Sequence, residues 1–309
     1  MEILSLPTMQ PIAAPSASVV ALGFFDGVHR AHEAVLETAA REARRRGLPL
    51  LVFTFAAADA PKGGALLLST DAERARLFRS IGAEMGVFAD FSAIASLTPE
   101  EFVSEYLIAR CHAAVAVTGE DFRFGYRASG DSRRLDTLMR AAGGEAVALS
   151  PVLFRGTPIS STRIRRALEV GDCETASALL GRPYSVTYPI RHGDSRGHTL
   201  GFPTANQVPP FWRMLPARGV YRTAVTLDDG STYVGVSNVG MRPTVDGEET
   251  RIETHILDFE GDLYAQSMTV SFLARLRGEM KFSSLEALSE QIQKDCQEVR
   301  TWILQNGLR

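Results

Sequence analysis

The feature that most limits the possible folds is a change of periodicity near Gly181-Arg-Pro183. Before it, short apolar runs alternate with amphipathic stretches, an order that builds a parallel sheet covered by helices. After it, strand-like runs are separated by turn signals, an order that builds a small antiparallel barrel. With 309 residues there is room for two such domains. The boundary falls at 183, giving domains 1–182 and 183–309.

In the first domain, Ser18 to Gly23 predicts a buried strand. A helix follows from about Ala31, with Val35, Leu36, Ala39, Ala40 and Ala43 on one face and Gly47 as its stop. Leu50–Phe55, the apolar stretch Met85–Phe88, Ala113–Val117 and Ala146–Leu149 supply further strands, with a helical Ser132–Ala142 before the last. Thr70-Asp-Ala-Glu73 and Thr98-Pro-Glu-Glu101 both have capping-box spacing, the second with Pro99 at the favoured first helical position. In the second domain, Tyr221–Leu227, Tyr233–Val236, Ile252–Leu257 and Met268–Phe272 predict strands, with Asp228-Asp-Gly230 as a turn. Leu285, Leu288, Ile292, Cys296, Val299 and Ile303 recur at helical spacing and would pack a Ser284–Leu304 helix on the barrel.

Charge excludes some partners. A formal charge of −3 offers no basic surface for nucleic acid or an anionic membrane. No apolar run approaches bilayer length, and Met1 to Ala17, with three prolines, lacks the basic start of a signal peptide. The three cysteines, Cys111, Cys173 and Cys296, lie far apart and form no ligand or disulfide pattern. Free thiols in a reducing cytoplasm are the expectation.

Chemistry concentrates where the first strand hands over to the first helix, in Gly23-Phe-Phe-Asp-Gly-Val-His29-Arg-Ala-His32. Parallel sheets bind ligands beyond the C-terminal ends of their strands, and a helix N-terminus there offers free N–H groups to phosphate. Gly23 and Gly27 let the backbone turn sharply, and His29 and His32 share one side of the first helical turn. Such histidines can donate to phosphoryl oxygens as charge builds in a transfer reaction. Thr118-Gly-Glu-Asp-Phe-Arg-Phe-Gly125 follows a later strand, and Ile159-Ser-Ser-Thr-Arg-Ile-Arg165 opens a helix with hydroxyls and Arg163 suited to a triphosphate.

This ordered set resembles the HxGH nucleotidyltransferases, specifically the flavin-adenylating enzymes of bacteria. The resemblance implies nucleotide or flavin contacts at Gly23, Phe25, Asp26, Gly27, Asp121, Arg123, Ser161, Thr162 and Arg163, with His29 and His32 catalytic. Two positions depart from the pattern. Residue 31 is Ala where the signature has Gly, and the Pro-His-Pro element that follows the second strand in that family is absent after Phe55.

The densest stretch of the second domain is His192-Gly-Asp-Ser-Arg-Gly-His-Thr-Leu-Gly-Phe-Pro-Thr-Ala-Asn206. Glycines and small hydroxylated residues make a loop able to close over a nucleotide, which points to Gly197, Thr199, Gly201, Thr204 and Asn206 as ATP-binding residues. Thr204 and Asn206 supply hard oxygens suited to Mg²⁺. No Gly-x-x-x-x-Gly-Lys-[Ser/Thr] loop occurs, so phosphate must be cradled differently. Asn238-Val-Gly-Met-Arg-Pro-Thr244, Ile252-Glu-Thr-His-Ile-Leu-Asp258, Gly261-Asp-Leu-Tyr264 and Leu276-Arg-Gly-Glu-Met-Lys-Phe282 follow. In order and spacing these resemble the riboflavin kinases. The resemblance makes Glu253 the general base and Asn238, Arg242, Arg277 and Glu279 flavin-binding. Asp258 also reads as a strand-end turn residue and Arg277 as a surface cation.

Taken together the chain resembles bacterial bifunctional riboflavin kinase/FAD synthetases. That resemblance implies an α/β chain: a Rossmann-like parallel-sheet domain, then a small antiparallel β-barrel with a C-terminal helix. It implies riboflavin, FMN and ATP as substrates, Mg²⁺ as cofactor, and neither nucleic-acid nor membrane partners. A kinase with a degenerate first domain, and a flavin- or nucleotide-binding regulator without turnover, stand beside it as alternatives.

Overall fold

The computed structural model describes residues 1–6, 17–57, 66–192, 201–244, 247–263 and 266–306, without the side chains of 2–6, 242–244, 247 and 248. It divides into two compact units, Met1–Ser161 and Thr162–Arg309.

The first unit is built on six parallel strands: β1 (Glu2–Leu6), β2 (Ser18–Leu22), β3 (Leu50–Phe55), β4 (Met85–Ala89), β5 (Ala113–Gly119) and β6 (Glu145–Leu149). Their order across the sheet is β1-β4-β3-β2-β5-β6. Alternate residues feed two cores, one on each face. Val20, Leu22, Leu51 and Phe53 enter one, and Val19, Ala21, Leu50 and Val52 enter the other. A sheet covered on both sides needs such near-continuous apolar strands. The winding direction reverses between β2 and β5, which makes the C-terminal end of β2 the switch point where ligands bind such sheets.

Helix α1 (Arg30–Arg46) buries the expected face of Val35, Leu36, Ala39, Ala40 and Ala43. It stops at Gly47, whose φ of 64° lets its N–H close on Ala43 and Arg44. Helix α2 (Asp71–Ser80) and the helix opening at Pro99 both form the expected capping boxes. The latter runs on as a π-helical segment, Phe102–Ile108. Strand β1 was not anticipated: it is a short edge strand that pairs only with β4, followed at once in the sequence by Pro7. A small hairpin, β7 (Leu153–Phe154) and β8 (Thr157–Pro158), precedes Ser161.

The second unit contains β9 (Tyr184–Pro189), β10 (Ala205–Gln207), β11 (Gly219–Leu227), β12 (Thr232–Thr244), β13 (Gly247–Ile256) and β14 (Ser267–Arg277). They pair antiparallel in the order β10-β13-β12-β11-β14-β9. The sheet curls until its edges meet. Arg191 N donates to Asn206 O (2.7 Å), and the buried Gln207 amide donates to Tyr188 O (2.7 Å) and Met268 O (2.6 Å). The interior carries a chain of fully buried hydroxyls, Thr223–Ser237–Thr254, each link 2.8 Å. Strand β12 is much longer than the expected Tyr233–Val236, because Asn238–Thr244 continues the ladder through Gly240 and Pro243 rather than leaving it.

The C-terminal helix (Leu285–Asn306) lays Cys296 and Val299, with Ile292 and Ile303, against Val220, Val236 and Leu257 on the outer face of the barrel. Asp258, at φ 57°, is indeed a turn residue, and its carboxylate clamps Arg300 of this helix through two 2.8 Å bonds.

The compact units meet ahead of the expected boundary at 183. The helices Ser161–Glu169 and Cys173–Leu180 go with the barrel: Ala217 N bonds Leu168 O (2.8 Å), and Cys173, Ala176 and Leu179 are fully buried.

Candidate active sites

In the first unit, the chain leaving β2 makes a tightly fastened loop. Gly23 has no room for a side chain, since a Cβ would lie 2.9 Å from the Phe25 ring. Phe25 (φ 53°) and Val28 (φ 40°) sit in left-handed backbone that bulky residues seldom adopt, with Gly27 (φ 77°) between them. Such strain persists only where the surroundings over-determine it. Here Asp26 supplies that. Its buried carboxylate accepts from Leu68 N (2.9 Å), Ser69 N (3.1 Å) and Ser69 Oγ (3.2 Å), while Gly27 N donates to Ser69 Oγ (2.8 Å). Ser161 Oγ donates to the Asp26 carbonyl (2.9 Å), so the first and last motifs of this unit touch. The Ser161 proton is thereby committed to backbone, and only its lone pairs are left for a ligand. Thr162, exposed, and Arg163, half-buried, follow it in the first turn of its helix.

His29 is the N-cap of α1, and its Nδ1 accepts from His32 N at 3.3 Å, which leaves its proton on Nε2. The two imidazoles stack with centroids 3.6 Å apart and planes 15° off parallel. His32 also meets the Phe25 ring edge-on, and its Nδ1 is buried without a hydrogen bond. Burial first, then His29 and Arg74, hold His32 well below the usual histidine range. A neutral His32 can donate to phosphoryl oxygen without carrying charge of its own.

Beside this loop, at the ends of β2 and β3, lies a cavity of about 380 Å³ walled by Phe53, Phe55, Phe91, Phe102, Phe122 and Phe124. Gly23 and Arg123 reach its lining. Gly125 (φ 74°) packs against Pro99 so closely that a Cβ would fall 2.9 Å from that ring. Asp121 is exposed, its carboxylate lying over Gly119. An aromatic slot with two cations, Arg123 and Arg127, in its lining can take a flat ring system.

The second unit gathers its candidates on one face. Asn206 on β10 is in register with Glu253 on β13, Glu253 with Asn238 on β12, Asn238 with Val220 on β11, and Val220 with Arg277 on β14. This lateral row floors a cavity of about 700 Å³ against the C-terminal helix. Thr204 and Glu279 also line it. Along β13, Arg251, Glu253 and His255 face out while Ile252, Thr254 and Ile256 are buried, the alternation the sequence predicts. His255 Nδ1 lies 2.9 Å from Pro203 O and its ring meets Phe202 edge-on, which anchors the chain just before Thr204. Asn206 Nδ2 donates to Thr204 O (3.1 Å), which leaves its Oδ1 free for a ligand. Gly240 is held small from both sides, a Cβ there falling 3.2 Å from Asn238 Nδ2 and 3.2 Å from Glu279 Oε1.

Arg277 is not a free surface cation. Asp295, buried on the C-terminal helix, takes it bidentately (Nε to Oδ1 3.1 Å, Nη2 to Oδ2 2.8 Å) and also accepts from Gln291 (2.9 Å). Gly201 is described but lines neither cavity, while Gly197, Thr199 and the side chain of Arg242 lie outside the described residues. Asp295 and Arg74 were both overlooked in the sequence. Each is a charge set on the buried stripe of an amphipathic helix, beside Ile292, Cys296 and Val299 in one case and Ala75 and Phe78 in the other. A lone charge at such a position was the available signal.

The family model for riboflavin kinase matches residues 180–303, and the one for FAD synthetase matches residues 12–163. The chain is 34% identical over 293 residues to a bifunctional riboflavin kinase/FMN adenylyltransferase of Escherichia coli (strain K12), covering 92% of each chain. It is 36% identical over 294 residues to the protein of the same name from Bacillus subtilis (strain 168), covering 91% of each. A solved chain from Streptococcus pneumoniae, described as a macrolide-efflux protein, superposes with a TM-score of 0.88 at 35% identity, over 98% of this chain and 100% of that one. No helix among the described residues is long and apolar enough to cross a membrane.

Proposed function

The chain belongs to the bifunctional riboflavin kinase/FMN adenylyltransferase family, and on that premise we propose that its barrel phosphorylates riboflavin and its parallel-sheet unit adenylylates the FMN that results. The observation that carries the kinase half is the row Asn206–Glu253–Asn238 on one cavity floor. Glu253 accepts the proton of the ribityl 5′-hydroxyl as that oxygen attacks the γ-phosphorus of ATP, and ADP leaves. Asn238 and Glu279 orient the flavin side of the cavity. Arg277, held by Asp295, supports that wall.

Thr204 and Asn206 are the residues that would hold Mg²⁺ together with the nucleotide phosphates. Their oxygens are hard, and the Asn206 Oδ1 is uncommitted. Bound there, the ion would neutralise phosphate charge.

In the first unit, a phosphate oxygen of FMN attacks the α-phosphorus of a second ATP and pyrophosphate leaves. His29 and His32 donate to the phosphoryl oxygens as charge builds, and the N-terminus of α1 receives the phosphates. The phenylalanine-walled cavity takes the isoalloxazine ring, with Arg123 at its rim. We place the chain in the cytoplasm, since its three thiols are free and buried, a state that a reducing compartment preserves.

Incubation with riboflavin and ATP–Mg²⁺, with flavins separated by chromatography, tests the whole reading. FMN and FAD together support it. FMN alone leaves only the kinase, a result that Ala31 and the absent Pro-His-Pro element would explain. Neither product leaves a binding protein.

A further inference from the structure

We propose that Arg74 is a positioning residue for adenylyl transfer, a buried guanidinium that locks the chain leaving β2 and the chain leaving β3 into one reacting geometry. The proposal rests on the adenylyl-transfer reading of the first unit. Arg74 is 1% exposed and heads the largest fully buried side chains among the described residues. So long and charged a group is kept inside only where most of its donors are paired, and here both terminal nitrogens are, while Nε is buried without a partner.

Its partners are not those of a core filler. Nη1 donates to Phe24 O (2.7 Å) and Thr54 Oγ1 (2.9 Å). Nη2 donates to Phe55 O (2.6 Å) and to the carboxylate of Asp71. Phe24 belongs to the loop that delivers His29 and His32, and Phe55 ends the strand whose following segment departs from the family pattern. Asp71 passes the grip onward by accepting from Ala57 N (2.9 Å), in that segment. Thr54 Oγ1 donates to the same Phe24 carbonyl (2.8 Å), so that oxygen is held from two sides immediately before the left-handed Phe25. One planar fork thus serves four acceptors on three chain segments, which an ammonium on a flexible stem does not reproduce. The guanidinium lies over Phe24 and Phe88 (5.4 and 5.2 Å to the ring centroids), which fixes its plane.

Position matters here more than affinity. A displacement of about 1 Å in a reacting geometry costs roughly 10²-fold in rate. Arg74 hydrogen-bonds no histidine ring and meets the cavity lining only through the main-chain oxygen of Phe55, not through a ring that walls the slot, so its loss should move the reacting groups more than it removes ligand contacts.

The test uses the full chain with Arg74→Lys. FAD formation from FMN and ATP is followed at steady state, FMN formation is measured in the same preparation, and the His32 imidazole is titrated by NMR. Expected are a fall in kcat for FAD of about 10²-fold, KM values for FMN and ATP within about threefold, and unchanged FMN formation. The His32 titration should shift as the fixed charge moves. A folded Arg74→Lys with wild-type kcat, or a loss confined to KM, overturns the positioning role. If Arg74→Lys abolishes the thermal transition of the first unit, Thr54→Val decides, because it removes the second donor to Phe24 O and one of the four acceptors of Arg74 while keeping the guanidinium. A roughly tenfold fall in kcat supports the role, and wild-type turnover overturns it. Wild-type chain that makes FMN but no FAD overturns the adenylyl-transfer reading and this proposal together, an outcome distinct from failure of the variants alone.

Discussion

Replacing Glu253 by Gln separates chemistry from stability in the barrel unit. Among the described residues the Glu253 carboxylate makes no hydrogen bond and no ion pair, although it stands between Asn206 and Asn238 on the cavity floor. Gln has the same shape, so the cavity keeps its form and its flavin and nucleotide contacts. Removing one charge without breaking a partnership should change stability by less than about 0.5 kcal/mol. Loss of a general base lowers the rate by about 10²–10⁴, which at about 1.36 kcal/mol per decade is roughly 2.7–5.5 kcal/mol in the barrier. Steady-state FMN formation reads the second quantity, and thermal melting with riboflavin fluorescence titration reads the first. A variant that melts and binds like wild type yet turns over within about threefold of it would refute Glu253 as the base. A large drop in melting temperature would refute the claim that its carboxylate is structurally idle.

Asp295→Asn should behave in the opposite way, costing the barrel unit about 2–3 kcal/mol in chemical denaturation because Arg277 loses its buried bidentate partner; an unchanged midpoint would show the pair to be dispensable. A fragment of residues 162–309 should fold and form FMN, whereas 183–309 should melt lower, since it exposes the surface that Cys173, Ala176 and Leu179 cover; equal melting would favour the boundary at 183. In a time course FMN should accumulate before FAD, and Ala31→Gly should speed the second step; simultaneous appearance would show that the added methyl costs nothing. Because His32 is held well below its usual value, the unfolded chain takes up a proton that the folded site resists as pH falls below 6.5. Stability of the first unit should therefore decline with acidification through that range, less steeply in His32→Asn, and parallel pH profiles would contradict the assignment.

Much of this was legible in the sequence because short-range rules act alone there. Thr70 and Thr98 cap their helices, Gly47 stops one, and the Glu253/His255 alternation sets a strand face. What was not legible depends on distant partners. Arg74 becomes a fastener only once Phe24 and Phe55 converge on it, ends of strands some twenty and fifty residues away in the chain. Arg277 reads as solvated until the C-terminal helix brings Asp295 against it. The helices before Pro183 continue the βα pattern, yet they pack with the barrel, and periodicity carries no information about which core an amphipathic face will join.

The cross-strand row from Asn206 to Arg277 makes the barrel intolerant of one kind of sequence change. Its members are spread over five strands and about seventy residues, yet each is one pairing step from the next. In a strand, a slip of one residue exchanges the two faces. A single-residue deletion within β13 ahead of Glu253 would therefore send that carboxylate toward the buried Thr223–Ser237–Thr254 hydroxyls and turn Ile252 or Thr254 outward. Length variation among relatives should then collect in the connecting turns, such as Asp228–Gly230, while the strands themselves stay fixed in length and vary only by substitution.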